Sequence, residues 1–427
     1  MQDLRFAFRQ LLKTPGFAAV AMLALALATV SCSGIRRSDA LPETVREPFA
    51  RPATVPVLPL RSVEPGTDRA DLAPLRTIIG NARVVALGQP ALGVHEPLSF
   101  RNRLLEYLVE ELGFTAIAVE SAFPESRRLA DYVAGGPGTA EEILTETRTW
   151  WHEPLEENLQ LVRWLRAHNT DPSRKHPVRF YAIDLSYTGP WGSRPTPAAL
   201  DSALAYLGRV DPASAHALGA VFEPWLSRLA NPMVSWTRPE QDACTAAVDD
   251  LVALLERERV AYLAAAPAAD YEWAHRAALV AQQADRMFRV APTDPPGERV
   301  PPSAWRMVNA RDTAMAENVL WALGQEGPAG RVLVVTHYLH AQSAPTMGGP
   351  WDAFERMPTA MGQFLRASLG DDLVVIGLSE AATVERYVKS TAAFDALVTV
   401  ESLTPARPAR GAGGPDGRAA RGVRGEL

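Results

Sequence analysis

Ionisable residues follow several short apolar runs of this chain, at the points where those runs end. They are Glu120, Asp184, His337 and His340. If the runs are parallel strands, their carboxyl ends meet at one edge of a sheet, which is where open α/β sheets bind ligands. Two carboxylates and two imidazoles gathered there could perform acid–base chemistry or hold a metal ion. The alternative is that these residues are polar only because strand ends are exposed.

The elements that would position these residues alternate along the chain. Short apolar runs, several of them rich in β-branched residues, have the length of buried strands and are separated by helical patterns. The runs are 84–87, 116–119, 178–183, 332–335, 373–376 and, more weakly, 397–400. This alternation predicts an α/β fold with a mostly parallel sheet flanked by helices. Residues from about 197 to 321 show only helical patterns and are interpreted as a helical insertion or cap.

The ends of the chain differ from its middle. Residues 1–32 combine basic residues, a short apolar run and a cysteine, Cys32, which predicts a signal peptide with a lipoprotein-type anchor; an uncleaved anchor is the alternative. Residues 33–71 are interpreted as a Pro/Arg-rich linker, 72–404 as the folded domain and 405–427 as a disordered tail. The expected location is therefore the cell envelope, on the periplasmic side and anchored to the membrane.

Composition excludes some classes of partner. The formal net charge of −6 and the absence of a basic stripe argue against a nucleic-acid partner. No Gly-x-Ser-x-Gly elbow surrounds Ser121 or Ser379, which argues against a serine-hydrolase mechanism. The oligomeric state is not predicted.

Five blocks of sequence resemble the erythromycin esterase family, in the same order and from about residue 72 to 404. The resemblance implies the fold of that family and a small-molecule ester or lactone substrate, such as a macrolide. It also implies that an activated water attacks the substrate and that no cofactor takes part. The blocks are 84–133, with Gly93-Val94-His95-Glu96, Arg101 and Glu120; 150–169, with Trp151; 311–318, with Arg311 and Asn318; His337-Tyr338-Leu339-His340; and 362–377.

The defining motif of the family is altered. Its Gly-Glu-x-x-His-Gly pattern corresponds here to Gly88-Gln89-Pro90-Ala91-Leu92-Gly93. The resemblance makes the motif histidine the general base, and Leu92 has no proton chemistry to replace it. Three replacements are open: His95, His337 oriented by Glu120, or a metal ion held by residues of the strand ends.

The leading hypothesis is an ester or lactone hydrolase that depends mainly on His337 and Glu120. Glu96, Arg101 and His340 are assigned supporting catalytic roles. Trp151, Asp184, Arg311 and Asn318 are assigned to substrate binding. No cofactor or metal ligand is assigned. The alternative is a non-catalytic envelope protein that binds a ligand, or haem through His337, Tyr338 and His340.

Overall fold

The structure is a computed structural model, and it describes ten stretches of the chain. They are residues 54–91, 93–147, 154–185, 187–188, 194–195, 197–229, 237–291, 302–345, 354–384 and 392–409. The expected signal and anchor segment, Leu92, Trp151 and most of the expected tail lie outside them. None of the helices described there is long and apolar enough to cross a membrane.

The strands confirm the predicted α/β class. Seven of the strands in the described residues form one parallel sheet in the order β1-β9-β8-β2-β7-β3-β4, and the other two form an antiparallel hairpin. The strands are β1 Val57–Pro59, β2 Val84–Gln89, β3 Ala116–Ala122, β4 Arg179–Asp184, β5 Tyr187–Thr188, β6 Arg194–Pro195, β7 Val332–His337, β8 Leu373–Glu380 and β9 Ala396–Val400. β2 and β3 are buried along their whole length, as expected where helices cover both faces of a parallel sheet.

Thirteen α-helices lie within the described residues. They are α1 Ala73–Ile79, α2 His95–Leu112, α3 Arg127–Val133, α4 Ala140–Glu146, α5 Glu156–Thr170, α6 Ala198–Val210, α7 Pro212–Leu229, α8 Arg238–Arg257, α9 Arg259–Ala265, α10 Ala268–Arg289, α11 Trp305–Gln325, α12 Tyr338–Ala341 and α13 Met361–Leu369. Pro97 lies in the first turn of α2 and Gly113 ends that helix with φ 71°, as the sequence predicts.

Alternate strand residues enter two different cores. Val85 and Leu87 pack with α1 to α5 on one face of the sheet, whereas Val84 and Ala86 pack with α11 and α13 on the other. A third apolar core joins α6, α8 and α10. The helical content predicted for 197–321 is therefore present in the described residues. α11 contributes to this third core through Met307 and Ala314 and to the layer that covers the sheet through Met315 and Val319, so it joins the helical region to the sheet.

Two predicted boundaries need correction. Val57–Pro59, placed in the linker by the sequence, pair with β9 as the edge strand of the sheet. An edge strand tolerates proline because one side of its backbone needs no partner, so a Pro-rich composition does not exclude it. Pro405 and Pro408, placed in the tail, form bridges with Val94 and Leu155. The ordered chain therefore extends beyond 72–404 at both ends.

His95 joins the expected linker to the starts of two helices. Its Nδ1 lies 2.6 Å from Glu157 Oε1 and its Nε2 lies 2.8 Å from Glu64 Oε1. Burial alone would lower the pKa of His95, but the hydrogen bonds with Glu157 and Glu64 raise it above the usual 6.5. His95 is thus an imidazolium that donates to two carboxylates, and none of its partners belongs to the cluster of strand-end residues. The structure does not support the use of His95 as a replacement base.

We expect His95→Gln to remove a pH-dependent part of the stability. A histidine whose pKa is raised in the folded state stabilises it fully below the unfolded pKa, and this contribution is lost as pH rises through the folded pKa. Losing the charged hydrogen bonds of His95 should lower the free energy of unfolding by about 1.5–3 kcal/mol at pH 6 and by less at pH 9. Urea unfolding at both pH values measures this. The exposed His216→Gln is the control, and an equal loss at both pH values would contradict the expectation.

Candidate active site

The carboxyl ends of four neighbouring strands bring polar side chains to one edge of the sheet. Gln89 ends β2 and lies in register with His337, which ends β7. Glu120 lies near the end of β3, and Asp184 ends β4. The sequence therefore predicted correctly which residues share this edge.

Arg311, from α11, lies between the two strand-end carboxylates. Its Nη2 donates to Glu120 Oε1 at 2.6 Å and to Asp184 Oδ2 at 2.7 Å, while its Nε donates to Asp184 Oδ1 at 3.1 Å. Glu120 and Asp184 are 7% and 3% exposed, so the guanidinium compensates two buried charges. Arg311 and Asp184, assigned to substrate binding by the sequence analysis, bind each other, and Arg311 also binds Glu120.

Glu120 is held in its ionised form. Its Oε2 accepts hydrogen bonds from Thr336 Oγ1 at 2.6 Å and from the backbone N–H of His337 at 2.8 Å. Burial alone would raise the pKa of Glu120, but the charges of His340 and Arg311, with these hydrogen bonds, hold it at about 2. Glu120 is consequently an anion throughout the physiological pH range and cannot act as a general acid there.

His340 forms a pair with Asp312, a residue of α11 that the sequence analysis did not single out. The Nδ1 of His340 lies 2.9 Å from Asp312 Oδ1, and its Nε2 lies 3.0 Å from Arg311 Nη1 and 3.7 Å from Glu120 Oε1. A guanidinium only donates, so Nε2 is the acceptor and Nδ1 carries the proton given to Asp312. Asp312 is fully buried, and its Oδ1 also accepts the backbone N–H of Met361 at 2.7 Å.

The pKa of His340 is raised. Burial alone would lower it, but the carboxylates of Asp312 and Glu120 raise it above the usual 6.5. A histidine with a carboxylate at Nδ1 and an accepting Nε2 is the arrangement of a general base, with the carboxylate fixing the tautomer and stabilising the imidazolium.

His337 is not oriented by Glu120 as the sequence analysis expected, because Glu120 binds its backbone and not its ring. The ring Nδ1 accepts the N–H of Leu339 at 3.4 Å, and the ring also interacts with the backbone carbonyl of Pro90. Burial and the neighbouring charge of His340 lower the pKa of His337 to about 4. Its ring is therefore neutral at pH 7, with Nδ1 as the acceptor.

Three other predicted site residues contact different parts of the fold. Glu96 accepts hydrogen bonds from the backbone and the hydroxyl of Thr404, both at 2.7 Å. Arg101 was considered either a site residue or a solvated helix charge, but it is 1% exposed and bonded to the start of α5. Asn318 donates to the Ile183 carbonyl at 2.7 Å and accepts from Arg276. Asn318 therefore links β4 to α10, which favours a structural role.

The metal alternative finds no support in the arrangement of the described residues, which contain no group of three or more His, Cys, Asp or Glu suited to hold a metal ion. Arg311 occupies the position between Glu120 and Asp184 that a cation would need.

Asp312 is a residue of this edge that sequence reasoning missed, and Thr336 is one to which it assigned no role. Thr336 directly precedes His337, so its place at a strand end was visible. Asp312 is 28 residues from His340, on a helix whose apolar pattern gives no sign that its carboxylate faces a histidine.

Comparison with known proteins decides the family. Residues 109–409 match the family model of erythromycin esterase. The chain belongs to the erythromycin esterase family. The matched range begins after Gly88–Gly93 and includes Glu120, Arg311, Asp312 and His340. The chain is 27% identical over 331 residues to an erythromycin esterase type II of Escherichia coli, covering 75% of this chain and 74% of that protein.

Solved structures show the same fold for this erythromycin esterase family member. A Bacillus cereus protein aligns with TM-score 0.61 and 23% identity, over 77% of this chain and 72% of that one. A succinoglycan biosynthesis protein aligns with TM-score 0.60 and 24% identity, over 76% and 72% of the two chains. The erythromycin esterase EreC, as a mutant in its open conformation, aligns with TM-score 0.55 and 20% identity, over 76% of each chain.

Gly88 and Gly93, at the ends of the segment that resembles the family motif, have structural roles. Gly93 has φ 65°, a conformation that side chains disfavour, and a Cβ on Gly88 would lie 3.0 Å from Tyr338 Cα. Gln89 is fully buried, and its Nε2 donates to the Pro97 carbonyl at 2.8 Å. Its Oε1 has no partner among the described residues. Both glycines therefore fit their local backbone, while Gln89 offers no group that could take up a proton.

Proposed function

We propose that this chain hydrolyses an ester or lactone of a sizeable apolar molecule, of which a macrolide is the first candidate, and that His340 is the general base. The observation that carries the proposal is the Asp312–His340 pair, because its accepting Nε2 faces Glu120 and Arg311 at the ligand-binding edge of the sheet. The esterase relative in Escherichia coli supports the substrate class.

The proposed reaction uses water as the nucleophile. When substrate binds, Arg311 Nη1 leaves His340 Nε2 and donates to the ester carbonyl oxygen, where the negative charge develops. His340 Nε2 is then free to take a proton from the water while the water oxygen forms a bond to the ester carbonyl carbon. Asp312 stabilises the imidazolium that results. As the tetrahedral intermediate collapses, the ester C–O bond breaks and His340 returns its proton to the leaving alkoxide.

Glu120 contributes as a fixed negative charge. Its Oε1 lies 3.7 Å from His340 Nε2 and favours the protonated form of that ring. Its Oε2 accepts hydrogen bonds from the Thr336 hydroxyl and from the backbone N–H of His337. Glu120 is therefore proposed to raise the basicity of His340 and to position Arg311, without exchanging a proton itself.

The proposal is tested by measuring hydrolysis of a macrolide and of a panel of simple esters by the full chain, beside the double variant Gln89→Glu, Leu92→His. Activity of the unaltered chain supports a base outside the motif. Activity of the double variant alone would show that the unaltered chain lacks a working base, and would overturn the assignment to His340.

The rate of ester hydrolysis should fall at low pH, where His340 becomes protonated. Because Asp312 and Glu120 raise the pKa of His340, we expect kcat/KM to be low where the ring is protonated and to rise as pH increases through a value above 6.5. Asp312→Asn should lower both that apparent pKa and kcat. The pH profiles of both proteins measure this, and an unchanged acid limb in the variant would contradict the role of Asp312.

The haem-binding alternative is not favoured by the geometry of the two histidines. The ring nitrogens of His340 contact Asp312 and Arg311, and Nδ1 of His337 accepts the N–H of Leu339. His340 would have to give up one of its two interactions to bind haem.

We further propose that the chain is exported and held at the membrane through a lipid on Cys32. This rests on the signal-like sequence of residues 1–32 alone. Cys32→Ala should move the protein from the membrane fraction to the soluble fraction of cells that express it, and unchanged membrane association would contradict lipid attachment.

A further inference from the structure

A strap formed by residues 403–409 runs along the carboxyl edge of the sheet. Each backbone N–H group of the strap donates a hydrogen bond: Leu403 to Glu380 Oε1, Thr404 to Glu96 Oε2, Ala406 to the Gly93 carbonyl, Arg407 to the Glu157 carboxylate and Ala409 to the Pro154 carbonyl. The other two residues, Pro405 and Pro408, have no N–H to satisfy. The strap is therefore attached by its backbone along its whole length.

Apolar contacts contribute less to holding the strap. Of its residues only Ala409 is buried, and Leu403 and Ala406 are partly buried, while the others are exposed. An element that is attached mainly by hydrogen bonds at the surface can open locally at a low cost in free energy. The position of the strap therefore depends on a few individual hydrogen bonds.

The first turn of α2 binds the strap at Thr404. Glu96 Oε2 accepts the backbone N–H of Thr404 and Glu96 Oε1 accepts its hydroxyl, both at 2.7 Å. The backbone N–H of His95 donates to the Thr404 carbonyl at 2.8 Å. Hydrogen bonds to a carboxylate are roughly twice as strong as those between neutral groups, so Glu96 makes the strongest contacts of Thr404.

The strap lies on one side of the point where the connections from two neighbouring strands diverge. β2 and β7 are adjacent, with Gln89 in register with His337. The chain passes from β2 to α2 on one face of the sheet and from β7 to α13 on the other. In α/β sheets, ligands bind in the crevice at such a point. The strap binds the β2 connection at Gly93 and Val94, whereas His340 lies in the β7 connection.

We propose that Glu96 is a positioning residue for the ester hydrolysis proposed above, and that it holds the strap as the wall of the substrate crevice opposite His340. The inference rests on that proposed function and places Glu96 away from the reacting atoms. The exposed residues of the docked strap contact the body of the substrate, so loss of the strap weakens substrate binding and leaves the chemical step at His340 intact.

The test combines amide hydrogen exchange with ester kinetics in the full chain. Glu96→Ala should accelerate exchange of the strap amides by about 10- to 100-fold, as expected for the loss of hydrogen bonds to a charged group. It should also raise KM for the best macrolide or ester substrate by about tenfold with little change in kcat.

Three further variants separate positioning from a general loss of structure. Thr404→Val, which removes one of the two hydrogen bonds to Glu96, should show both effects more weakly, and Thr404→Ser, which keeps the hydroxyl, should restore them to the values of the unaltered chain. Glu111→Ala removes a carboxylate near the other end of α2, where it pairs with Arg76, and should change neither measurement.

Unchanged exchange of the strap in Glu96→Ala would overturn the proposal. Faster exchange with an unchanged KM, or with a loss that falls mainly on kcat, would do the same. If the unaltered chain hydrolyses no ester, the proposed hydrolase function fails, and calorimetric titration with erythromycin takes the place of KM. Weaker binding to Glu96→Ala then supports the role of the strap, and equal binding or no binding contradicts it.

Discussion

His340→Asn should lower kcat for ester hydrolysis by about 10²–10⁴, the usual loss when a general base is removed. Asparagine keeps a polar side chain of similar length but cannot take up a proton at pH 7. KM should change little, because His340 acts on water and not on the bound substrate. Initial rates over a range of ester concentrations separate the two parameters.

His337→Asn is the matched comparison, at the end of β7 and three residues before His340. The ring of His337 has no carboxylate partner and its Nδ1 accepts a backbone N–H, so we expect a smaller fall in kcat than for His340→Asn. The exposed His176→Asn should leave the rate unchanged. If His337→Asn abolished activity while His340→Asn retained it, the base would be His337 and the Asp312 pairing would be structural.

Arg311→Met should give the largest loss of stability, about 3–5 kcal/mol, because it leaves buried carboxylates uncompensated. Glu120 and Asp184 both lose their ion pair with Arg311, and His340 loses the donor to its Nε2. Denaturant unfolding at pH 7 measures the loss. Arg306→Met, an exposed arginine on the same helix, should change the free energy of unfolding by less than about 0.5 kcal/mol.

The pH dependence of this effect has a definite sign. The pKa of Glu120 is depressed from 4.5 to about 2, so its contribution is present above pH 4.5 and is lost as pH falls towards 2. The difference between Arg311→Met and the unaltered protein should therefore shrink in acid. Adding Asp184→Asn to Arg311→Met should recover part of the stability at pH 7. No recovery would mean that Arg311 stabilises the fold by packing and not by charge.

The strands and the edge they share could be predicted because the apolar runs of the sequence coincide with buried strands of the structure. The apolar runs at 116–119 and 332–335 became β3 and β7, and the topology of parallel strands then required Glu120 and His337 to share an edge. The position of Arg311 within reach of that edge followed only from the family resemblance.

The partners of individual side chains were not predictable. Whether Glu120 binds the ring or the backbone of His337 depends on side-chain rotamers that no spacing reveals. Arg101 looked like an exposed helix charge because a single sequence does not show which face of α2 meets α5. The Pro-rich composition of residues 33–71 concealed β1, because pairing with β9 is a contact across more than 300 residues.

β2 lies at the centre of the sheet, between β8 and β7, and its last residue, Gln89, belongs to the ligand-binding edge. Asp312, Arg311 and His340 come from α11 and α12, which the chain reaches more than 200 residues later. Gln89 nevertheless lies in register with His337, so the edge is complete only after both distant parts of the chain have joined the sheet.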